Sequence, residues 1–125
     1  MTDNVATGGD VLVILRHGPH GGSLLREGLD TALVAAAFGK RVSLLFMGEG
    51  AAALVSGQTA GALGQKGTHA TLAMLEMYDI ETLLVEAEAL EGLGLVMADA
   101  EMDVQPVSAA EVADQVAAHA LVMTF

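Results

Sequence analysis

Val11-Leu-Val-Ile-Leu15 and Val42-Ser-Leu-Leu-Phe-Met47 enclose the stretch whose reading decides the fold. Both are aliphatic runs without the polar alternation of a half-exposed strand, so each reads as a strand covered on both faces. Between them the period changes. Ser23 stands at a helix cap position, and Leu25, Leu29, Ala32 and Ala36 fall on one face of a helix reaching about Phe38. Gly39 follows where a left-handed helix terminator belongs, with Lys40 and Arg41 after it. A strand, a helix and a second buried strand form a right-handed crossover between parallel neighbours.

The same alternation continues outward. A short helix is expected over Ala51–Val55, a loop over Ser56–Gly67, and a helix over His69–Met77 capped by Thr68. Thr82-Leu-Leu-Val85 is a third strand, Ala87–Leu90 opens another helix, and Val104–Val107 is a brief fourth strand. Ser108-Ala-Ala-Glu111 fits a capping box. The helix from Ala109 to about His119 is expected to carry Val112, Val116 and Ala120 inward, and Leu121–Phe125 to form the last strand. Connections of roughly 25–35 residues suit βαβ units. The fold class is therefore α/β: a single-domain three-layer α/β/α sandwich with a mostly parallel sheet of about five strands. Residues 1–125 form one domain, and residues 1–9 read as a flexible N-terminal tail.

Composition narrows the chemistry. With 125 residues and no cysteine, the chain supplies no disulfide, thiolate metal ligand or thiol nucleophile. The absence of disulfides fits a cytoplasmic protein. The net charge of −11 is localised: through Lys66 five bases match five acids, and beyond it eleven acids stand without a single Lys or Arg. Such a field repels phosphate backbones, which argues against direct contact with nucleic acid. No secretory signal is visible, and apolar runs are interrupted well short of a membrane span of about 20 residues. A mean hydropathy of +0.53 is high for a soluble chain so small and points to apolar surface buried between subunits.

Three stretches invite a chemical reading. Arg16-His17-Gly18 directly after a strand has the form used by phosphohistidine-type phosphatases, where the imidazole accepts the phosphoryl group. That chemistry needs a second histidine and a basic clamp, and no base follows Lys66. The alternative is a strand-end loop shaped by Gly18 and Pro19. Gly18-Pro-His-Gly-Gly22 before a helix suggests an anion-binding turn but lacks both the P-loop ending and the dinucleotide glycine pattern. His17 and His20 share this loop, yet no metal-ligand spacing is formed by these residues with His69 or His119, and helix-end His119 is expected to face solvent. Glu86, Glu88 and Glu91 after the third strand could pair as carboxylates or simply form a solvated helix face. No catalytic residue, metal site or cofactor site is identified from these patterns.

Taken in order, Pro19-His-Gly, Arg26-Glu-Gly-Leu-Asp30, Leu45-Phe-Met-Gly-Glu-Gly50, Ser56-Gly-Gln58 and Leu75-Glu-Met-Tyr-Asp-Ile-Glu81 resemble the TusC/DsrF branch of the DsrE-like proteins. The resemblance runs from Val11 to the strand ending on Phe125. It implies a small α/β/α sandwich and assembly with TusB-like and TusD-like subunits into a hexamer holding two copies of each. It also implies a place in a relay passing persulfide sulfur towards 2-thiolation of the tRNA wobble uridine, or, in the DsrF version, in dissimilatory sulfur oxidation. The position matching the sulfur-carrying cysteine of the sister subunits is Glu86. A carboxylate cannot form a persulfide, so the implied role is that of a structural, non-catalytic subunit without cofactor, able to self-associate when alone. The phosphohydrolase built on Arg16 and His17 is the alternative.

Overall fold

The computed structural model describes residues 9–18, 22–54, 74–94 and 104–125. Five strands, β1 (Gly9–Leu15), β2 (Val42–Phe46), β3 (Thr82–Glu86), β4 (Gln105–Val107) and β5 (His119–Thr124), form one sheet in the order β4-β3-β2-β1-β5. Every neighbouring pair is parallel, with Val11 beside Val42 and Leu121, and Leu44 beside Leu83. The α/β class and the five-stranded sheet expected from the sequence are both present.

Among the described residues the α-helices are α1 (Leu24–Ala37), α2 (Ala87–Leu93) and α3 (Ala109–Ala118). The steps β1 to β2, β2 to β3 and β3 to β4 all run in one direction, so right-handed crossovers place their connections on one face of the sheet. The step from β4 to β5 returns across the sheet and puts α3 on the other face. Side chains alternate accordingly. Val11, Val13, Leu15, Leu44, Phe46, Leu83 and Val85 pack with Leu25, Leu29 and Ala32 of α1 in the larger core. Leu12, Ile14, Leu45, Leu84 and Val107 form a smaller core, against which Val112 of α3 packs. A fully buried leucine contributes roughly 1.5–3 kcal/mol, so the larger core dominates stability.

Local signals explain the boundaries. After α1, the Gly39 N–H donates to the Ala36 carbonyl at 2.9 Å and the Lys40 N–H to the Ala35 carbonyl at 3.2 Å. Gly39 has φ +88°, the left-handed geometry that this double closure demands. The Ser108 box forms as its spacing implies: the Ser108 N–H donates to Glu111 Oε1 at 2.8 Å, and the Glu111 N–H donates to Ser108 Oγ at 3.2 Å. Close approach rather than turn geometry explains Gly50, where a Cβ would collide with the Leu15 carbonyl oxygen.

Several expectations need correction. Gly9 belongs to β1, paired with His119, and not to a tail; residues 1–8 lie outside the described residues. Ser23 precedes α1 but does not cap it, because its hydroxyl donates to the Glu27 carboxylate at 2.8 Å instead. The short helix expected over Ala51–Val55 is a 3-10 segment, Gly48–Leu54, starting directly behind β2. At the end of the helix expected over His69–Met77, Met74 and Leu75 form a turn and Glu76–Tyr78 a 3-10 turn; residues 69–73 and the loop Ser56–Gly67 lie outside the described residues. The last helix stops at Ala118. Its buried residue is Gln115, whereas Val116 is 41% exposed and Ala120 is an exposed β5 residue.

Candidate functional site at the carboxyl edge of the sheet

Because all strands are parallel, the residues that follow them collect at one edge, where open α/β sheets place their ligands. Arg16-His17-Gly18 follows β1, Gly48-Glu49-Gly50 follows β2, and Glu86 ends β3. The edge is tightly connected. The Met47 N–H donates to the Leu15 carbonyl at 2.9 Å, the Gly50 N–H to the Met47 carbonyl at 2.9 Å, and the Arg16 N–H to the Phe125 carbonyl at 2.8 Å. The missing Cβ of Gly50 lets the 3-10 segment lie against the end of β1.

Glu86 is the side chain that joins two strand ends. It is half-buried, its backbone is still extended (ψ 119°), and α2 begins at the next residue. Its Oε1 accepts from the Gly48 N–H at 3.1 Å, across the gap between β3 and β2. Gly48 has φ +54°, a conformation in which glycine carries no side-chain strain. The group at position 86 thus looks onto a backbone donor at the sheet edge. Glu88 and Glu91 lie on α2 and are exposed. Among the described residues no three His, Asp or Glu side chains gather as a metal site would require.

Arg16 and His17 are exposed at the same edge, and neither side chain has a hydrogen bond or ion pair among the described residues. Their expected partner set does not form from His119. That residue starts β5 beside Gly9, so it sits at the opposite edge of the sheet. It is 7% exposed, which corrects the expectation that it faces solvent. Its Nδ1 lies 2.7 Å from the Gln115 carbonyl and its Nε2 lies 2.9 Å from Ser43 Oγ. A carbonyl only accepts, so Nδ1 carries a proton towards Gln115, while Nε2 pairs with the Ser43 hydroxyl, which can donate or accept. Ser43 and Gln115 escaped the sequence reasoning. The signals were a lone hydroxyl inside the aliphatic run of β2 and a polar residue three positions after Val112. His20 and His69 lie outside the described residues.

A parallel five-stranded sheet with its loops at the carboxyl edge has counterparts among known proteins. The DsrE/DsrF-like family model matches residues 9–125, and the chain belongs to that family. It is 33% identical over 102 residues to a protein TusC homolog of Vibrio parahaemolyticus, covering 82% of this chain and 86% of the relative. It is 40% identical over 85 residues to a protein TusC homolog of Pseudomonas aeruginosa, covering 68% and 71%. Among solved structures the ychN protein of E. coli superposes with a TM-score of 0.80 over 93% of this chain and 98% of that one, at 19% identity, which establishes a shared fold. Among the described residues no helix is long and apolar enough to cross a membrane.

Proposed function

We propose that this chain is the structural, non-carrying subunit of a TusBCD-like complex that supports 2-thiolation of the tRNA wobble uridine in the cytoplasm. The observation that carries this is the end of β3. The position that matches the sulfur-carrying cysteine of the sister subunits is Glu86, which accepts a hydrogen bond from Gly48, and the chain has no cysteine anywhere. Sulfur exchange requires a thiolate, so this chain hands the chemistry to a TusD-like partner and contributes surface and shape. A carboxylate facing that partner's thiol would raise its pKa, so Glu86 is better placed to organise its own strand ends than to meet the thiol. The partners are TusB-like and TusD-like subunits, in a hexamer with two copies of each. The acid-rich second half keeps this chain itself off the tRNA.

Co-purification tests the assembly. Tagged chain expressed with cysteine-bearing TusD-like and TusB-like proteins is expected to retain both through gel filtration. Deletion of its gene is expected to lower 2-thiouridine in tRNA, and Glu86→Gln to restore it. A chain that retains neither partner, with unchanged thiolation on deletion, refutes this role. Loss of sulfur oxidation with intact tRNA thiolation would instead assign the DsrF version.

A further inference from the structure

The two edges of the sheet are built differently. β4 has three residues with Pro106 at its centre, so that edge is short and lacks an N–H. β5 has six residues, and among the described residues its only strand neighbour is β1. Backbone groups alternate sides along a strand, and the phase is set at its end. The Phe125 N–H donates to the Ile14 carbonyl, and the Phe125 carbonyl accepts from the Arg16 N–H. Leu121 and Met123 therefore turn their peptide groups to β1, and Ala120, Val122 and Thr124 turn theirs outward.

Nothing on β5 protects this row. From Gln115 to Phe125 the chain has no Lys, Arg, Asp, Glu or Pro, the residues that blunt exposed edges. Apolar side chains flank it on both faces of the sheet. Leu121 is 52% exposed, and Val116 on α3, which packs against β5, is 41% exposed. Helix α1 borders this edge: a Cβ on Gly28 would stand 3.0 Å from the Phe125 ring.

We propose that the occupant of this edge is a second copy of the chain, joined by antiparallel β5–β5 pairing about a two-fold axis at Val122. In this register Val122 faces its own counterpart, and Ala120 faces Thr124 of the other copy, so all three outward residues exchange hydrogen bonds. A two-fold pairing sets every residue against a copy of the same strand, so any charge there would meet a like charge or an unpaired group. The strip is charge-free although the chain as a whole carries −11. That combination favours a self-complementary contact over a basic partner. The residues are small or β-branched, which suits close cross-strand packing. The inference does not depend on the sulfur-relay role.

The test uses the full chain and two exposed positions, so that folding is preserved. Sedimentation equilibrium at about 100 µM, where a micromolar dimer is nearly complete, is expected to give twice the 12.7 kDa chain mass. A120K/T124K sets like charges opposite each other at both ends and is expected to raise the dimer Kd at least about tenfold. A120K/T124E sets opposite charges together and is expected to stay within about threefold of the unmodified chain. Circular dichroism confirms that both variants are folded. An unmodified chain at 12.7 kDa overturns the proposal, and so does equal dimerisation of the two variants. Slow exchange of the Val122 amide only after a TusD-like subunit is added also overturns it, and would assign the edge to that partner.

Discussion

The two ends of the sheet use polar residues in opposite ways. At the amino end, His119, Ser43 and Gln115 are buried and bound to one another: the imidazole spans from the Gln115 carbonyl to the Ser43 hydroxyl, with Gly9 against the ring. At the carboxyl end, Arg16 and His17 are exposed and Glu86 makes one bond to a backbone N–H. A histidine hydrogen-bonded to a serine is the more suggestive pair chemically, yet it is buried at the amino ends of the strands. The plainer carboxylate occupies the edge where this fold class presents its ligands. Composition of a cluster is thus a poorer guide to its role than which end of the strands it occupies.

Substitutions at five positions probe that contrast. The largest effect is expected where it should break down, because the carboxyl end also has one structural necessity. Gly50→Ala forces a methyl against the Leu15 carbonyl and is expected to cost about 3 kcal/mol, read from the urea midpoint. Next, His119→Ala removes a buried ring and strands Ser43, at an expected cost of about 2–3 kcal/mol. Pairing it with Ser43→Ala in a double-mutant cycle is expected to show coupling of about 1 kcal/mol, and zero coupling would dissolve the bond between them. Glu86→Ala is expected to cost about 1 kcal/mol in thermal unfolding, and Glu86→Gln, which keeps an acceptor oxygen, less than about 0.5. Smallest is His17→Ala, within about 0.5 kcal/mol either way because the side chain is exposed. A loss comparable to that of His119→Ala would place His17 in the framework and erase the contrast.

How much of this was legible in the sequence differs between backbone and side chains. The strands announced themselves because a sheet buried on both faces needs unbroken aliphatic runs, as in Val11–Leu15 and Val42–Phe46. Gly39 and the Ser108–Glu111 box were legible because helix ends leave donors and acceptors that only a few residues satisfy. The inward face of α3 was misread. Val112, Val116 and Ala120 share a helical stripe as well as Val112 and Gln115 do, and apolarity favoured the wrong one. The His119 ring bonds the Gln115 backbone carbonyl, and its other partner, Ser43, comes from a strand far away in sequence, so neither contact could be read from the helical pattern. The candidate site was less legible still. Glu86 looks like one of several acids on a solvated helix until β2 and β3 are paired and Gly48 appears beside it.

One consequence of the strand order concerns how the molecule comes into being. β1 pairs on one side with β2, soon after it in the chain, and on the other with β5, where Val11 meets Leu121. Contacts of such sequence separation close slowly, because the intervening chain must give up its freedom first. During synthesis one flank of β1 therefore stays open until β5 emerges, with Leu12, Val13 and Ile14 awaiting their last neighbours. The residues that complete the pairing of β1 thus emerge long after it, and a ribosome stalled before His119 would hold a sheet with β1 at its edge.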